Sequence, residues 1–360
     1  HLGPLDRAMT LEDRLLTRDN NLNLIRAVAA TAVLVSHAFP IALGPGTPEP
    51  FEATVGASLG HMAVLVFFAA SGFLITASYQ RSATLGSFAA ARAARLLPGL
   101  AVSVILVAVI LGPLVTTLPA ATYLADPQTW TFIIRNIVTY PVQYTLPGVF
   151  ETNPYPAVEG SIWTLCYEIA CYFGVVIAGL TGLLARRALA TAALLAWIVL
   201  GQTLDQAGIE TIYQLDQLLN LSQPFVLGML ACLWRDRLPL SFAALAVLVA
   251  AAWAVRSTPF YDAILVLALS YGTLLLALRP GGPIRAYNRL GDYSYGIYVY
   301  AFPVQGLMVW AFGQQTPLMN ILTAFALTLL CAVVSWHLIE RPALRYVRQQ
   351  ARARGAALTL

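Results

Sequence analysis

Three ionisable side chains, Arg26, His37 and Glu168, fall inside long apolar runs of the sequence. In such surroundings each needs a partner or a polar cavity. Their chemistry is complementary: an imidazole exchanges a proton near neutrality, a carboxylate orients it and stabilises its cation, and a guanidinium holds an anion. Arg26 and His37 are eleven residues apart. In a helix that separation is a turn of ~1100°, about 20° from three full rotations, with a rise of ~16 Å. They share one face. Alone, Arg26 reads as a snorkelling side chain and His37 as a hydrogen-bonded core residue; together they suggest a lined path. Glu168 lies eight residues into the apolar segment that opens at Gly160, and its expected partner is His37 or Arg26.

Other residues offer less specific chemistry. Ser71 stands in Phe67-Phe68-Ala69-Ala70-Ser71-Gly72-Phe73, where small residues permit close helix packing; as a nucleophile it lacks a G-x-S-x-G elbow. Arg92 and Arg95 are three apart on one helical face, an arrangement suited to a phosphate-bearing ligand and explained as well by positive-inside anchoring. Trp163 and Tyr167, flanking Thr164-Leu165-Cys166, read as interfacial aromatics or acceptor contacts, and His61 reads the same way on the second apolar segment. His337 reads as structural.

These side chains are spread along 360 residues that are 59% hydrophobic and only 11% charged, with a mean hydropathy of +0.71. A soluble globule of this size would lack the polar atoms to cover itself, so the chain is expected to be an all-α integral membrane protein. Disorder and a disulfide scaffold are excluded by the same composition. Cys166, Cys171, Cys232 and Cys331 lie in apolar runs with no CxxC pair, so they read as core residues, and no metal is expected. Ten stretches are long and apolar enough for spanning helices: 22–43, 59–79, 96–116, 160–182, 188–204, 217–234, 239–255, 260–278, 291–312 and 317–339.

All 21 basic residues are Arg, and with ten spans and both termini cytoplasmic, eighteen of them fall on the cytoplasmic side. Only Arg135 and Arg256 fall outside, and Arg26 lies within a span. The expected division is a cytoplasmic segment 1–21, a membrane domain 22–340 and a basic cytoplasmic tail 341–360. Residues 1–21 show no signal-peptide core, so the first apolar segment is expected to stay as an anchor. The longest non-spanning piece, 117–159, is expected to be extracytoplasmic, with a short amphipathic stretch near Trp130 to Val138. The net charge of +4 reflects this distribution and not a nucleic-acid partner.

The order of motifs resembles one family, the membrane-bound acyltransferase family 3. The matching pieces are Arg26 with His37, Phe67-Phe68 to Ser71-Gly72-Phe73-Leu74, Arg92-x-x-Arg95-Leu96-x-Pro98, Trp163-Thr164-Leu165 to Glu168, Ser294-Tyr295-Gly296-Ile297-Tyr298, and Glu340-Arg341-Pro342. Two positions depart: many members carry a His where this chain has Ala301, and an Asp where it has Leu65. The resemblance is to the stand-alone form without a fused esterase-like domain.

The resemblance implies an inner-membrane, multi-pass enzyme that moves an acyl group, acetyl by prevalence, from cytoplasmic acyl-CoA to a hydroxyl of an extracytoplasmic glycan or glycolipid. It implies catalytic roles for His37, Glu168 and Arg26, donor binding at Arg92, Arg95, Arg26 and Ser71, and acceptor contacts at Trp163, Tyr167 and His61. His37 would act as general base or as an acyl carrier, with Glu168 orienting it. The competing expectation is a proton-coupled transporter using Arg26, His37 and Glu168, since buried ionisable groups serve carriers too; neither an inverted repeat nor a pair of broken helices is visible to support it.

Overall fold

The computed structural model describes residues 20–209, 211–279 and 281–353. Most of the expected segment 1–21, with Arg7, Arg14 and Arg18, lies outside the described residues, as do residues 354–360 of the expected tail. Among the described residues the regular elements are all helical. The principal helices are α1 (Leu22–Leu43), α2 (Leu59–Arg81), α3 (Leu85–Leu106), α4 (Pro127–Val138), α5 (Leu165–Leu180), α6 (Arg187–Gln206), α7 (Tyr213–Leu233), α8 (Phe242–Ala254), α9 (Tyr261–Leu278), α10 (Ser294–Phe312), α11 (Pro317–Ser335) and α12 (Arg341–Ala353).

A helix stands at each of the ten expected stretches, and among the described residues seven helices are long and apolar enough to cross a membrane. These are Leu22–Leu43, Leu59–Arg81, Leu85–Val115, Ile162–Leu180, Arg187–Gln206, Tyr261–Leu278 and Pro317–Ala351. The other three fall short for physical reasons. Helix α8 has only 13 residues. Helix α7 carries Gln214, Asp216, Gln217, Asn220 and Gln223, and α10 carries three tyrosines, Pro303 and Gln305.

Helix α3 begins eleven residues before the expected span at 96, because Thr84 caps it. The Thr84 hydroxyl accepts from Ser87 N at 3.1 Å and the Ser87 hydroxyl accepts from Thr84 N at 3.2 Å, satisfying two amides that the helix leaves open. Arg92 and Arg95 therefore sit within the early turns of one long helix that continues through a π-helical turn, Val107–Leu111, to Val115.

The chain forms two compact units. The first comprises the chain up to Arg26, Val64–Gln80 and Tyr167–Gly291. Leu22, Ala70, Phe73, Ala77, Cys232, Leu274 and Leu278 pack together at its core, and Asn21 N donates to Ala277 O at 2.7 Å, tying the start of α1 to α9. Helices α2 and α7 meet backbone to backbone. A Cβ at Gly72 would lie 1.9 Å from Phe225 O, and one at Gly228 would lie 2.3 Å from Ala69 O. Small residues on both helices are what allow this approach. Gly72→Ala is expected to lower stability by at least about 1–3 kcal/mol, the usual range for overpacking. Thermal unfolding in detergent checks this, with Gly174→Ala as the silent control, since its Cβ would meet nothing within 4 Å.

The second unit comprises Ala27–Ala63, Arg81–Cys166 and Asp292–Leu360. Within it α10 packs on α11 and α3, and α4 and α12 pack on α3. Apolar clusters form from Ile41, Ala157, Phe302 and Val309, and from Val304, Met308 and Ala324. The 117–159 segment is folded here. Its expected amphipathic stretch is α4, started by Asp126, whose carboxylate accepts from Gln128 N at 2.8 Å. Buried Tyr123 donates to Ala108 O at 2.7 Å, inside the π-helical turn. Asn153 Nδ2 donates to Gly306 O at 2.9 Å, docking the segment on α10.

Candidate active site

Sequence and packing together put His37 in the second unit, two turns before the end of α1. Pro40 in the same helix has no N–H, so the Ser36 carbonyl loses its helical donor beside the imidazole. The ring packs edge-on against Phe302 of α10, with centroids 5.4 Å apart. Its Nδ1 is buried and has no hydrogen-bond partner among the described residues. Next to it, the buried Ser36 hydroxyl accepts from Gly60 N at 2.8 Å and donates to the Glu49 carboxylate. Glu49 also acts through space on the His37 ring. One turn earlier, Gln305 Nε2 donates to Leu34 O at 2.9 Å, anchoring α1 to α10 beside the imidazole.

Phe302 links His37 to a second acid. Gly160 lies against the Phe302 ring, and the preceding Glu159, 2% exposed, accepts on one oxygen from Gly160 N at 3.1 Å and from Ser161 Oγ at 3.0 Å. Burial pushes the Glu159 carboxyl up to about 7, against the lowering effect of these donors. Thr164 Oγ1 pairs with the Tyr298 hydroxyl at 2.7 Å, closing the start of the Ile162–Leu180 span onto α10. Because the folded-state value lies above the ordinary one near 4.5, the stability contributed by protonated Glu159 is full below about 4.5 and is lost as pH rises through about 7. Wild-type protein is therefore expected to lose melting temperature relative to Glu159→Gln between pH 5 and pH 8. Thermal unfolding in detergent at both pH values checks this.

At the other end of the second unit, Arg95 is enclosed. Its guanidinium hydrogen-bonds Asp292 and lies 3.9 Å from the Glu340 carboxylate, between the rings of Tyr295 and Trp336. A π-helical turn, Trp336–Glu340, brings Glu340 inward, where Ser335 Oγ donates to it at 2.9 Å. Asp292 also accepts from Ser294 N at 3.3 Å, at the start of α10. Arg92 is half-buried one turn earlier on α3.

In the first unit, Glu168 accepts from Ser71 Oγ at 3.0 Å and from the Tyr172 hydroxyl. Its hydrogen-bond partners are thus hydroxyls of α2 and of its own helix, where the sequence pointed to His37 or Arg26. A carboxylate four residues before a tyrosine on a helix meets it directly. Ser71 joins Glu168 as well as lying in the close α2–α7 contact, and Arg26 sits just past the first turn of α1 within this unit. Of the expected acceptor contacts, Tyr167 is buried, Trp163 is half-buried in the turn Ile162–Thr164, and His61 is exposed in the first turn of α2. His337 lies 3.3 Å from the Tyr293 hydroxyl. Among the described residues no group of three His, Cys, Asp or Glu could hold a metal ion.

Sequence reasoning gave no role to four acids that the fold brings into play: Glu49, Glu159, Asp292 and Glu340. The signal for the last two was available, since Glu340 stands in the quoted Glu340-Arg341-Pro342 and Asp292 lies two residues before the motif at Ser294. Glu49 lies in a Pro- and Gly-rich loop and offers no such signal.

Helices of this length and hydropathy, with His37 and Arg95 half-buried among them and Glu159, Asp292 and Glu340 buried, define a multi-pass membrane protein with polar chemistry inside it. The family model described as an acyltransferase domain matches residues 19–339, and the chain belongs to that family, acyltransferase family 3. It is 27% identical to an O-acetyl transferase of Shigella phage Sf6 over 335 residues, covering 90% of this chain and 96% of the relative. It is 28% identical to nodulation protein 10 of Rhizobium leguminosarum bv. viciae over 353 residues, 91% of this chain and 93% of the relative. No solved structure matches it at a significant level. The protein is a membrane acyltransferase.

Proposed function

We propose that the enzyme moves an acyl group, acetyl in the first instance, from cytoplasmic acyl-CoA to a hydroxyl of an extracytoplasmic glycan or glycolipid, in the inner membrane. The name of the phage relative, an O-acetyl transferase, supports the acetyl choice and the oxygen acceptor. The proposal includes ten spans with both termini cytoplasmic, since that count places eighteen of 21 arginines on one side.

The observation that carries the reading is His37: an imidazole inside a membrane span with a buried ring nitrogen that no described residue occupies. An open ring nitrogen leaves room for the hydrogen bond to an acceptor hydroxyl that a general base needs. In the proposed step His37 takes the proton of the acceptor hydroxyl as its oxygen attacks the thioester carbonyl. The carbon–sulfur bond breaks, and the CoA thiolate leaves with the proton that the imidazolium returns. A single reactive geometry suffices, so general-base catalysis is preferred over an acyl-His intermediate. Arg92 would hold CoA phosphates at the inner mouth, and Arg26 is a separate candidate for a cationic contact to the donor. Arg95 contributes there by fixing α3 against α10, given its two carboxylate neighbours. Glu168 would hold Ser71 and Tyr172 around the donor arm, and Trp163, Tyr167 and His61 would meet the acceptor.

The test is release of free CoA from acetyl-CoA by purified protein. Release that disappears in His37→Ala supports the reading and excludes a proton-coupled carrier, which leaves the thioester intact. Purified, folded protein that never consumes the thioester, with or without glycan, would refute it.

A further inference from the structure

We infer that Glu49 is a positioning residue for His37: its carboxylate, fixed over the first membrane span by Ser36, stabilises the imidazolium that forms when His37 takes the acceptor's proton. The inference rests on His37 being the general base.

The loop carrying Glu49 is tied at both ends. Gly44 N donates to Pro40 O at 2.8 Å, so the loop leaves α1 about two turns past His37, and Leu59 N donates to Pro50 O at 2.9 Å where α2 begins. Glu49 itself is held twice: its N–H donates to the Glu52 carboxylate at 2.9 Å, and its carboxylate takes the Ser36 hydroxyl proton. Ser36 is fully buried and accepts from Gly60 N at 2.8 Å, so its Oγ has one orientation in which to donate. Ser36 and His37 are consecutive on α1, their side chains about 100° apart round the helix, and the carboxylate anchored at Ser36 acts on the ring through space.

The surroundings leave Glu49 as the counter-charge. Among the described residues it is the charged side chain that acts on the imidazole. Helix α10 offers the edge of Phe302 and, one turn along, the neutral amide of Gln305, whose Nε2 is taken up by Leu34 O and by Asn320 Oδ1 at 3.0 Å. Nδ1 has no hydrogen-bond acceptor among these residues, so the positive charge on the ring during transfer is balanced through space and not by a hydrogen-bonded acid. A carboxylate serving only to close the loop would need Ser36 and the Glu52 contact but no effect on the proton-transfer step.

The experiment uses the full-length purified protein and acetyl-CoA, with water as acyl acceptor, and follows CoA release against pH for wild type, Glu49→Gln, Glu49→Asp, Ser36→Ala and His37→Ala. The expected result is a kcat about 10-fold lower in Glu49→Gln, with the acidic limb of kcat/KM moved about one pH unit toward acid, since removing a nearby negative charge makes the ring harder to protonate. Glu49→Asp restores most of the activity, and Ser36→Ala gives an intermediate shift. Should Glu49→Gln fail to fold, the Ser36→Ala limb carries the same test. An unmoved limb in both variants, with His37→Ala inactive, overturns the role of Glu49 and leaves the base intact. Full activity in His37→Ala overturns the general-base reading itself.

Discussion

Replacing His37 with Ala is expected to cut acyl transfer by about 10²- to 10⁴-fold, the range that a positioned general base contributes. The protein should stay folded. The ring makes one aromatic contact, to Phe302, and its Nδ1 has no hydrogen-bond partner among the described residues, so no buried partner is stranded by its removal. The loss should appear in kcat while the KM for acyl-CoA changes little, because an interaction made only in the transition state leaves ground-state binding intact. Mass spectrometry of acid-quenched enzyme adds a second readout. An acyl group trapped on His37 would replace the general-base step with a covalent one.

Arg95→Ala is expected to have the largest effect on stability, about 3–5 kcal/mol, as for a buried ion pair broken on one side. The substitution takes the Arg95 guanidinium away from Asp292 and Glu340, 7% and 1% exposed. Combining it with Asp292→Asn and Glu340→Gln should recover much of the loss, since both positions are then neutral. Arg92→Ala offers the contrast: a folded protein with a raised KM for acyl-CoA. Thermal unfolding in detergent beside donor titration separates the two arginines. If Arg95→Ala melts like wild type and only donor affinity falls, the ion cluster is not the anchor described above.

The two arginines also show where sequence and structure part. Their spacing places both on one helix face, and the helix is there, but spacing carries no information about Asp292 and Glu340, which are about 200 and 245 residues away. Helix positions follow from apolar run length, a local property, and a helix stands at every expected stretch. Ends and spanning capacity depend on more: Thr84 starts α3 early, and the polar residues of α7 bring it below the hydropathy of a clear span. Glu168 was visible as a carboxylate needing partners, and Ser71 as a small residue in a packed helix. Only the fold shows that they satisfy each other. Glu49 was hidden because a loop acid among prolines and glycines looks solvated until Ser36 holds it.

The central claim is that position 37 opens onto a path by which acyl-CoA enters from the cytoplasmic side. His37→Cys in a background with Cys166, Cys171, Cys232 and Cys331 replaced by Ser places one thiol there. In inside-out vesicles, a thiol reagent too polar to cross the bilayer should label that position, and excess acyl-CoA should slow the labelling. A thiol that stays unlabelled from the cytoplasmic face, or labels at the same rate with acyl-CoA present, would contradict the claim.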